Sequence, residues 1–167
     1  KHGTWAYPGG DEDLSNTQFA LLGLHAGVTA GGDVPEDLWA SVTAALQEYH
    51  SRDGGFAYSL GGIHPSTSMT AAGIGSLAIC RLYLGNGQVQ DPVPGDRSIN
   101  DGLHWLDRRL ERGDSLYTWY GIERVGALTG RSHIGGEDWY GAGAAKILKL
   151  QVEDGSFSGG LPHTAYS

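Results

Sequence analysis

The chain has 167 residues, of which 40% are hydrophobic and 18% charged, so it has the composition of one globular domain and is too apolar for a disordered chain. Its net charge of −8 argues against nucleic acid and anionic membrane surfaces as partners. No stretch reaches the roughly 18 consecutive apolar residues of a membrane span, and the single Cys80 excludes an internal disulfide without indicating a compartment.

The first two predicted helices differ in how apolar they are. A helix at residues 15 to about 27 begins with a Ser/Asn/Thr cap and is apolar nearly all round, as expected of a buried helix. A second helix starts at Pro35, with Glu36 and Asp37 in its first turn, and runs to about residue 50. Because the second helix is amphipathic, we expect it to face solvent.

The same alternation continues along the chain. A buried helix is predicted at residues 66–84 with an amphipathic partner at 98–112, and a third pair at 119–129 and 138–151. Residues 85–96 form a loop within this array, and a fourth buried helix is expected to begin near His163. Cys80 lies in an apolar run and is predicted to be a packed thiol.

An internal repeat of about 50 residues relates these pairs. Gly3-Thr4-Trp5-Ala6-Tyr7 aligns with Gly54-Gly55-Phe56-Ala57-Tyr58, 51 residues later, and Asp154-Gly155-Ser156-Phe157 lies 101 residues beyond Asp53-Gly54-Gly55-Phe56. The chain has 28 glycines, and the Gly-rich Asp-Gly-Gly-Phe segments are predicted to form the turns between hairpins. Trp5, Phe56 and Phe157 are predicted to pack between hairpins at equivalent positions.

These residues carry a resemblance to a known family. Gln151-Val152-Glu153-Asp154-Gly155-Ser156-Phe157 resembles the Q-x-x-D-G-S-W/F repeat of terpenoid cyclases and protein prenyltransferases, and segments 14–22 and 120–126 are similar to bacterial proteins with the prenyltransferase and squalene oxidase repeat. The resemblance implies an all-α fold of α/α-hairpin repeats forming part of an α/α toroid. We expect residues 1–167 to be an open arc of about three and a half hairpins, belonging to a longer chain.

The catalytic motifs that the resemblance implies are incomplete in this sequence. Where class II cyclases have D-x-D-D-T, this chain reads Asp13-Leu14-Ser15-Asn16-Thr17, so two required acids are replaced. We interpret Asp11, Glu12 and Asp13 as groups that complement a helix N-terminus. His163-Thr164-Ala165-Tyr166 resembles the zinc-binding His motif of prenyltransferases, but Cys80 has no matching acidic ligand. We therefore expect no zinc and no other cofactor.

A candidate binding site comes from the N-termini of the buried helices. If these helices are parallel, they present polar and aromatic residues at one mouth of the toroid, which suits an apolar ligand with a polar or anionic end. Glu123 and Arg124 lie in the middle of a predicted buried helix, so each needs a partner on another helix or in the cavity. The site is predicted to contain Ser15, Asn16, Thr17, Ser66, Thr67, Ser68, Tyr117, Trp119, Tyr120, Glu123, Arg124 and His163.

Two hypotheses for function follow. The first is a non-catalytic repeat segment that binds an apolar or amphipathic ligand or a protein partner. The second is part of a terpenoid-cyclase-like or prenyltransferase-like enzyme whose catalytic acids lie outside these residues. In both, we expect the uncovered helices of the arc to be completed by the rest of its own chain, by a second copy or by another subunit.

Overall fold

The structure is a computed structural model that describes residues 3–85, 96–110 and 115–157. Within these ranges it is mostly helical, which confirms the all-α class. The helices are α1 (Leu14–Thr29), α2 (Glu36–Leu46), α3 (Thr67–Leu84), α4 (Asp96–Arg109), α5 (Leu116–Thr129) and α6 (Trp139–Leu150). A short 3-10 turn, Gln47–Tyr49, extends α2. Strands β1 (His133–Ile134) and β2 (Glu137–Asp138) pair antiparallel, with His133 opposite Asp138.

Three helix boundaries differ from the sequence prediction. The N-cap of α1 is Asp13, whose carboxylate accepts a bond from the Asn16 backbone N–H at 2.7 Å; Ser15 is not the cap. Helix α5 begins at Leu116, three residues before the predicted start, because Ser115 caps it by accepting from Thr118 N at 3.2 Å. Helix α4 begins at Asp96 and ends at Arg109, so it lies closer to the N-terminus of the chain than the predicted range of 98–112.

Helix α3 is the centre of the fold. It contacts α1 and α5, which are its neighbours among the predicted inner helices, and also α2 and α4. Every residue of α3 from Met69 to Cys80 is buried as a result. Burial raises the pKa of the Cys80 thiol to about 11, which confirms a packed cysteine.

Burial is uneven among the other helices. The prediction that α1 is buried nearly all round is wrong: of its residues only Leu14, Thr17, Gln18 and Leu21 are buried, and Phe19 is 38% exposed. Helix α1 is covered on the side of α3, and no other described helix packs extensively against it. Helix α6, at the other end of the described chain, has no buried residue.

The Gly-rich turns confirm the internal repeat. In the turn before α3, Ser51 N donates to Gly55 O at 2.8 Å, and Gly54 has a φ of 97° that favours glycine. In the turn after α6, the corresponding bond runs from Val152 N to Ser156 O at 2.9 Å, and Gly155 has a φ of 83°.

Phe56 packs between hairpins as predicted. It is fully buried, and its backbone N–H donates to Thr70 Oγ1 at 3.0 Å. Its ring lies against Gly73 of α3, where a Cβ would overlap it. Trp5 repeats the backbone bond by donating to Thr17 Oγ1 at 3.1 Å, but it is only partly buried, less than predicted.

Asp53 connects the same turn to α4. Its Oδ2 accepts from Trp105 Nε1 at 2.9 Å and from Arg109 Nη1 at 3.1 Å. Burial alone would raise the pKa of Asp53, but hydrogen bonds from Ser51, Trp105, Arg109 and the Gly55 amide outweigh it and hold the pKa well below its usual range. Arg109 thereby forms an ion pair between α4 and the turn before α3.

Candidate functional site

A network of polar and aromatic side chains joins α1 to α5. The Tyr117 hydroxyl lies 3.1 Å from Ser15 Oγ and accepts a bond from Gln18 Nε2. Arg124 Nη2 donates to Gln18 Oε1 at 3.1 Å. We call Ser15, Gln18, Phe19, Tyr117, Tyr120 and Arg124 the α1–α5 cluster.

Aromatic rings cover the charged end of this cluster. The Arg124 guanidinium carbon lies 3.6 Å from the Tyr120 ring centroid, within the range of a cation–π contact. The Phe19 and Tyr120 rings are stacked, with centroids 6.5 Å apart. An arginine and a partly exposed aromatic surface therefore lie side by side.

The cluster also has a structural role. Gln18 is 4% exposed, so its amide would destabilise the fold if it made no hydrogen bonds. By bonding Tyr117 and Arg124 it ties together two helices that both pack on α3. The expectation that Arg124 pairs with a different helix is confirmed.

Sequence reasoning missed Gln18 and Phe19. The available signal was a glutamine inside a largely apolar helix, directly after the Asp13 to Thr17 segment. A buried amide in such a helix needs partners from another element, but the sequence does not indicate that the partner is α5.

The remaining predicted site residues lie apart from the cluster. Asn16 and Thr17 bond to Asp13, with Asn16 Nδ2 to Asp13 Oδ2 and Thr17 Oγ1 to Asp13 O both at 2.7 Å. Ser66 caps α3 by accepting from Met69 N at 3.2 Å, and its hydroxyl lies 3.2 Å from that of Ser68. Thr67 follows Ser66 in the first turn of α3 and is partly buried.

Glu123 and Trp119, two further predicted site residues, have other surroundings. Glu123 is exposed, so the expectation of a buried charge at this position is wrong, because this side of α5 opens to a groove. Trp119 is 5% exposed, and its indole N–H has no acceptor among the described residues. His163 lies outside the described residues.

Two grooves lie along α6, and Trp119 lines both. The first, about 680 Å³, which we call the lysine groove, includes Ala142, Ala145, Lys146 and Lys149. The second, about 550 Å³, includes Tyr120, Glu123 and Leu148. Tyr140 and Leu148 on α6 are each 71% exposed. Among the residues that the structure describes, nothing beyond α6 covers the third hairpin, and its surface there has a large apolar part.

The internal repeat relates this uncovered surface to a covered one. Trp39 of α2 and Trp139 of α6 are 100 residues apart, and the turns that follow the two helices are 101 residues apart. The stripe of α2 and its 3-10 turn that is almost completely buried consists of Trp39, Val42, Leu46 and Tyr49. The residues that lie 100 or 101 positions later are partly buried or exposed and are Trp139, Tyr140, Ala142, Gly143, Lys146, Ile147, Lys149 and Leu150.

The acidic residues before α1 serve the helix end. Asp13 is 3% exposed and makes the cap bonds described above, which confirms the interpretation of that carboxylate.

Within the described ranges no group of three or more His, Cys, Asp or Glu could hold a metal ion. Across those same ranges, no helix is long and apolar enough to span a membrane.

Comparison of the chain with family models, curated proteins and solved structures found no match. The resemblance to the prenyltransferase and squalene oxidase repeat therefore stays a prediction that depends on the motifs alone.

Proposed function

We propose that this chain is a non-catalytic segment of α/α-hairpin repeats, part of a toroid-like arc, that binds a protein partner through its third hairpin. The supporting observation is α6: it buries no residue, although the equivalent stripe of α2 is almost fully buried under the next hairpin. The element that covers this stripe of α2 is α3. We expect the α6 surface to be covered by the rest of its own chain or by a second copy, the two occupants that the purified protein itself supplies.

The physical reason is the cost of leaving apolar helix surface in water. Helical repeats contact only their neighbours, and an end repeat stays soluble only when its outer face is polar or covered. Tyr140 and Leu148 at 71% exposure do not form a polar face, and exposed apolar patches beyond a few hundred Å² commonly mark interaction sites.

Hydroxyl-radical footprinting of the purified full chain tests this proposal. Leu148 is compared with Ile63, an aliphatic residue outside the third hairpin that is 78% exposed. We expect Leu148 to be modified several-fold more slowly than Ile63, because a partner covers it. Equal modification of the two residues at every protein concentration would contradict the proposal.

A second candidate function is binding of an amphipathic ligand at the α1–α5 cluster. The observation that favours it is the position of Arg124 beside the stacked Tyr120 and Phe19 rings, of which Phe19 is 38% exposed. A medium-chain fatty acid such as decanoate is a suitable probe, because its carboxylate can pair with Arg124 and its chain with the rings. We expect decanoate to raise the melting temperature of the natural chain and not that of Arg124→Gln. Equal shifts would exclude this site.

The enzyme hypothesis stays a prediction. Its acids were expected outside these residues, and Asp13, the acid retained from the cyclase pattern, acts here as the α1 cap.

A further inference from the structure

We propose that the groove between α5 and α6 that contains Glu123 binds a small organic cation with an apolar body, such as a protonated arylalkylamine. We call it the aromatic groove. Its ligand is a small molecule rather than a protein, so this site goes beyond the proposed function. Three features support it: the aromatic lining, the single charge, and the departure of α5 from the internal repeat.

The lining of the aromatic groove is mainly apolar. Its aromatic residues are Trp119, Tyr120, Trp139 and Tyr140. The Trp139 and Tyr140 rings meet edge to face, with centroids 5.9 Å apart. Gly143 of α6 faces the edge of the Trp119 ring, where an added Cβ would lie 3.4 Å from Cε3. The groove volume of about 550 Å³ is in the range of pockets that hold small molecules.

The charge of the groove favours a cation. Among the described residues that line it, Glu123 alone is charged. This side chain is exposed and makes no hydrogen bond or ion pair within the described ranges. A carboxylate beside aromatic rings suits an ammonium group, which can pair with the acid and lie against a ring. By contrast, the lysine groove has charges of both signs, from Glu137, Asp138, Lys146 and Lys149.

Helix α5 differs from the other inner helices where it lines this groove. Four residues after the N-cap, α1 has Thr17 and α3 has Thr70. Their hydroxyls accept the backbone N–H groups of Trp5 and Phe56. Helix α5 has Trp119 at this position, and an indole offers no acceptor. The position that anchors a turn in the first two hairpins therefore supplies an aromatic wall in the third.

The carboxylate also replaces an aliphatic side chain of the repeat. Eight residues after the N-cap, α1 has Leu21 and α3 has Ile74, both at 0% exposure. Helix α5 has Glu123 at this position. An apolar helix that packed here would bury the carboxylate without a partner, which is unfavourable. The substitution therefore favours an occupant that brings a positive charge.

The depth of the groove decides where each part of the ligand lies. Trp119 is 5% exposed and Trp139 is partly buried, whereas Tyr140 and Leu148 are each 71% exposed. An apolar body can therefore be buried between the two helices while its ammonium group stays beside the exposed carboxylate. Apolar contact supplies most of the affinity, and the ion pair selects a cation over a neutral molecule of the same shape.

Calorimetric titration of the natural chain tests this site with three probes that share one body. They are 3-phenylpropylamine, 3-phenylpropan-1-ol and 3-phenylpropionate. We expect the amine to bind about three- to tenfold more tightly than the alcohol, because only the ammonium group pairs with the carboxylate. The propionate should bind most weakly. Absence of saturable amine binding, or an alcohol that binds as tightly as the amine, overturns the proposal.

Matched variants locate the binding. Glu123→Gln should lower the affinity for the amine to that for the alcohol and leave the alcohol unchanged. Glu36→Gln makes the same change in charge at an exposed residue of α2 and should alter neither affinity. Leu148→Ala removes part of the apolar wall and should weaken both probes by about twofold or more.

Circular dichroism checks that each variant keeps its helices. An amine affinity that is unchanged in Glu123→Gln or in Leu148→Ala places the binding outside the groove and overturns the proposal. An equal loss in Glu36→Gln shows general attraction of the amine to an acidic protein and also overturns it.

Footprinting without ligand separates this site from the proposed function. If Leu148 is protected and the amine does not bind, a protein segment fills the groove, so the proposed function stands and the ligand site is wrong. If the amine binds through Glu123 while Leu148 is modified as fast as Ile63, the ligand site stands and the proposed function is wrong.

Discussion

Helices α2 and α6 occupy equivalent places in the repeat but have opposite environments. In α2 the stripe that includes Trp39 and Leu46 is almost completely buried, whereas no residue of α6 is buried. The difference lies in the next hairpin: α3 covers α2, and no described helix follows α6. A repeat of this kind therefore completes its core only with its neighbour.

The two Gly-rich turns show the same contrast. Asp53 and Asp154 both accept bonds within their own turn, from Gly55 N at 3.3 Å and from Ser156 N at 2.9 Å. Asp53 additionally binds Trp105 and Arg109 of the next outer helix. The local turn therefore forms from its own residues, and the link between hairpins depends on the element that follows.

The largest expected effect separates the two aromatic residues of these turns. Phe56→Ala should cost about 3–5 kcal/mol of unfolding free energy, because the fully buried ring fills the space against Gly73 and Gly102. Phe157→Ala should cost less, because no described helix follows it. Urea unfolding measures both, and equal costs would show that the third turn is as well covered as the second.

Equivalent positions of α2 and α6 provide the next comparison. Leu46 is fully buried, at 0% exposure, so Leu46→Ala should lower the free energy of unfolding by about 2–5 kcal/mol. Lys146→Ala, at a partly buried position in the same part of α6, should change stability by less than about 0.5 kcal/mol. Thermal unfolding at low protein concentration distinguishes them. A large loss in Lys146→Ala would mean that α6 is packed within the single chain.

A smaller effect is expected from filling the space between a turn and α3. Gly73→Ala places a Cβ into the Phe56 ring and should cost about 1–3 kcal/mol. Gly75→Ala is the matched control in the same helix, because its Cβ would meet nothing within 4 Å. Since alanine favours helix over glycine, that variant should be neutral or more stable by up to about 1 kcal/mol. Loss of stability in both would point to helix geometry rather than to Phe56.

The smallest effect concerns the two aspartates. Asp53→Asn should lower stability at pH 7 by about 1 kcal/mol through weaker hydrogen bonds to α4, and Asp154→Asn should change it less. Because the pKa of Asp53 is depressed on folding, its contribution is present above the usual carboxyl pKa of about 4 and is lost at lower pH.

The stability gap between Asp53→Asn and the natural chain should therefore narrow as pH falls from 5 towards 2. Melting temperatures of both proteins across this range test the prediction. A gap that stays constant would mean that the charge of Asp53 makes no contribution.

The order of the six described helices was predictable because each hairpin carries its own local signals. Pro35 with Glu36 and Asp37, Ser66 and Asp138 lie at helix starts as predicted. The cap of α1 was assigned two residues late, because Asp13 and Ser15 are both good caps and only the backbone geometry separates them.

The candidate site was less predictable. Ser15, Tyr117, Tyr120 and Arg124 do come together, but they do so through Gln18 and Phe19, whose contacts with α5 no local pattern indicated. Glu123 and Arg124 are neighbours in sequence, yet one is exposed and the other binds α1. Which side of a helix meets another helix depends on packing between distant segments.

The sequence by itself determined the helical hairpins, the Gly-rich turns and the equivalence of Phe56 with Phe157, because these depend on contacts within about 50 residues. Only the tertiary structure decided that α3 is enclosed, that α1 is half open and that no described helix beyond the third hairpin covers α6. The physical reason is that one amphipathic or apolar pattern can be buried or exposed according to its neighbours. Identical local signals therefore produced a complete core around α3 and an open surface on the third hairpin.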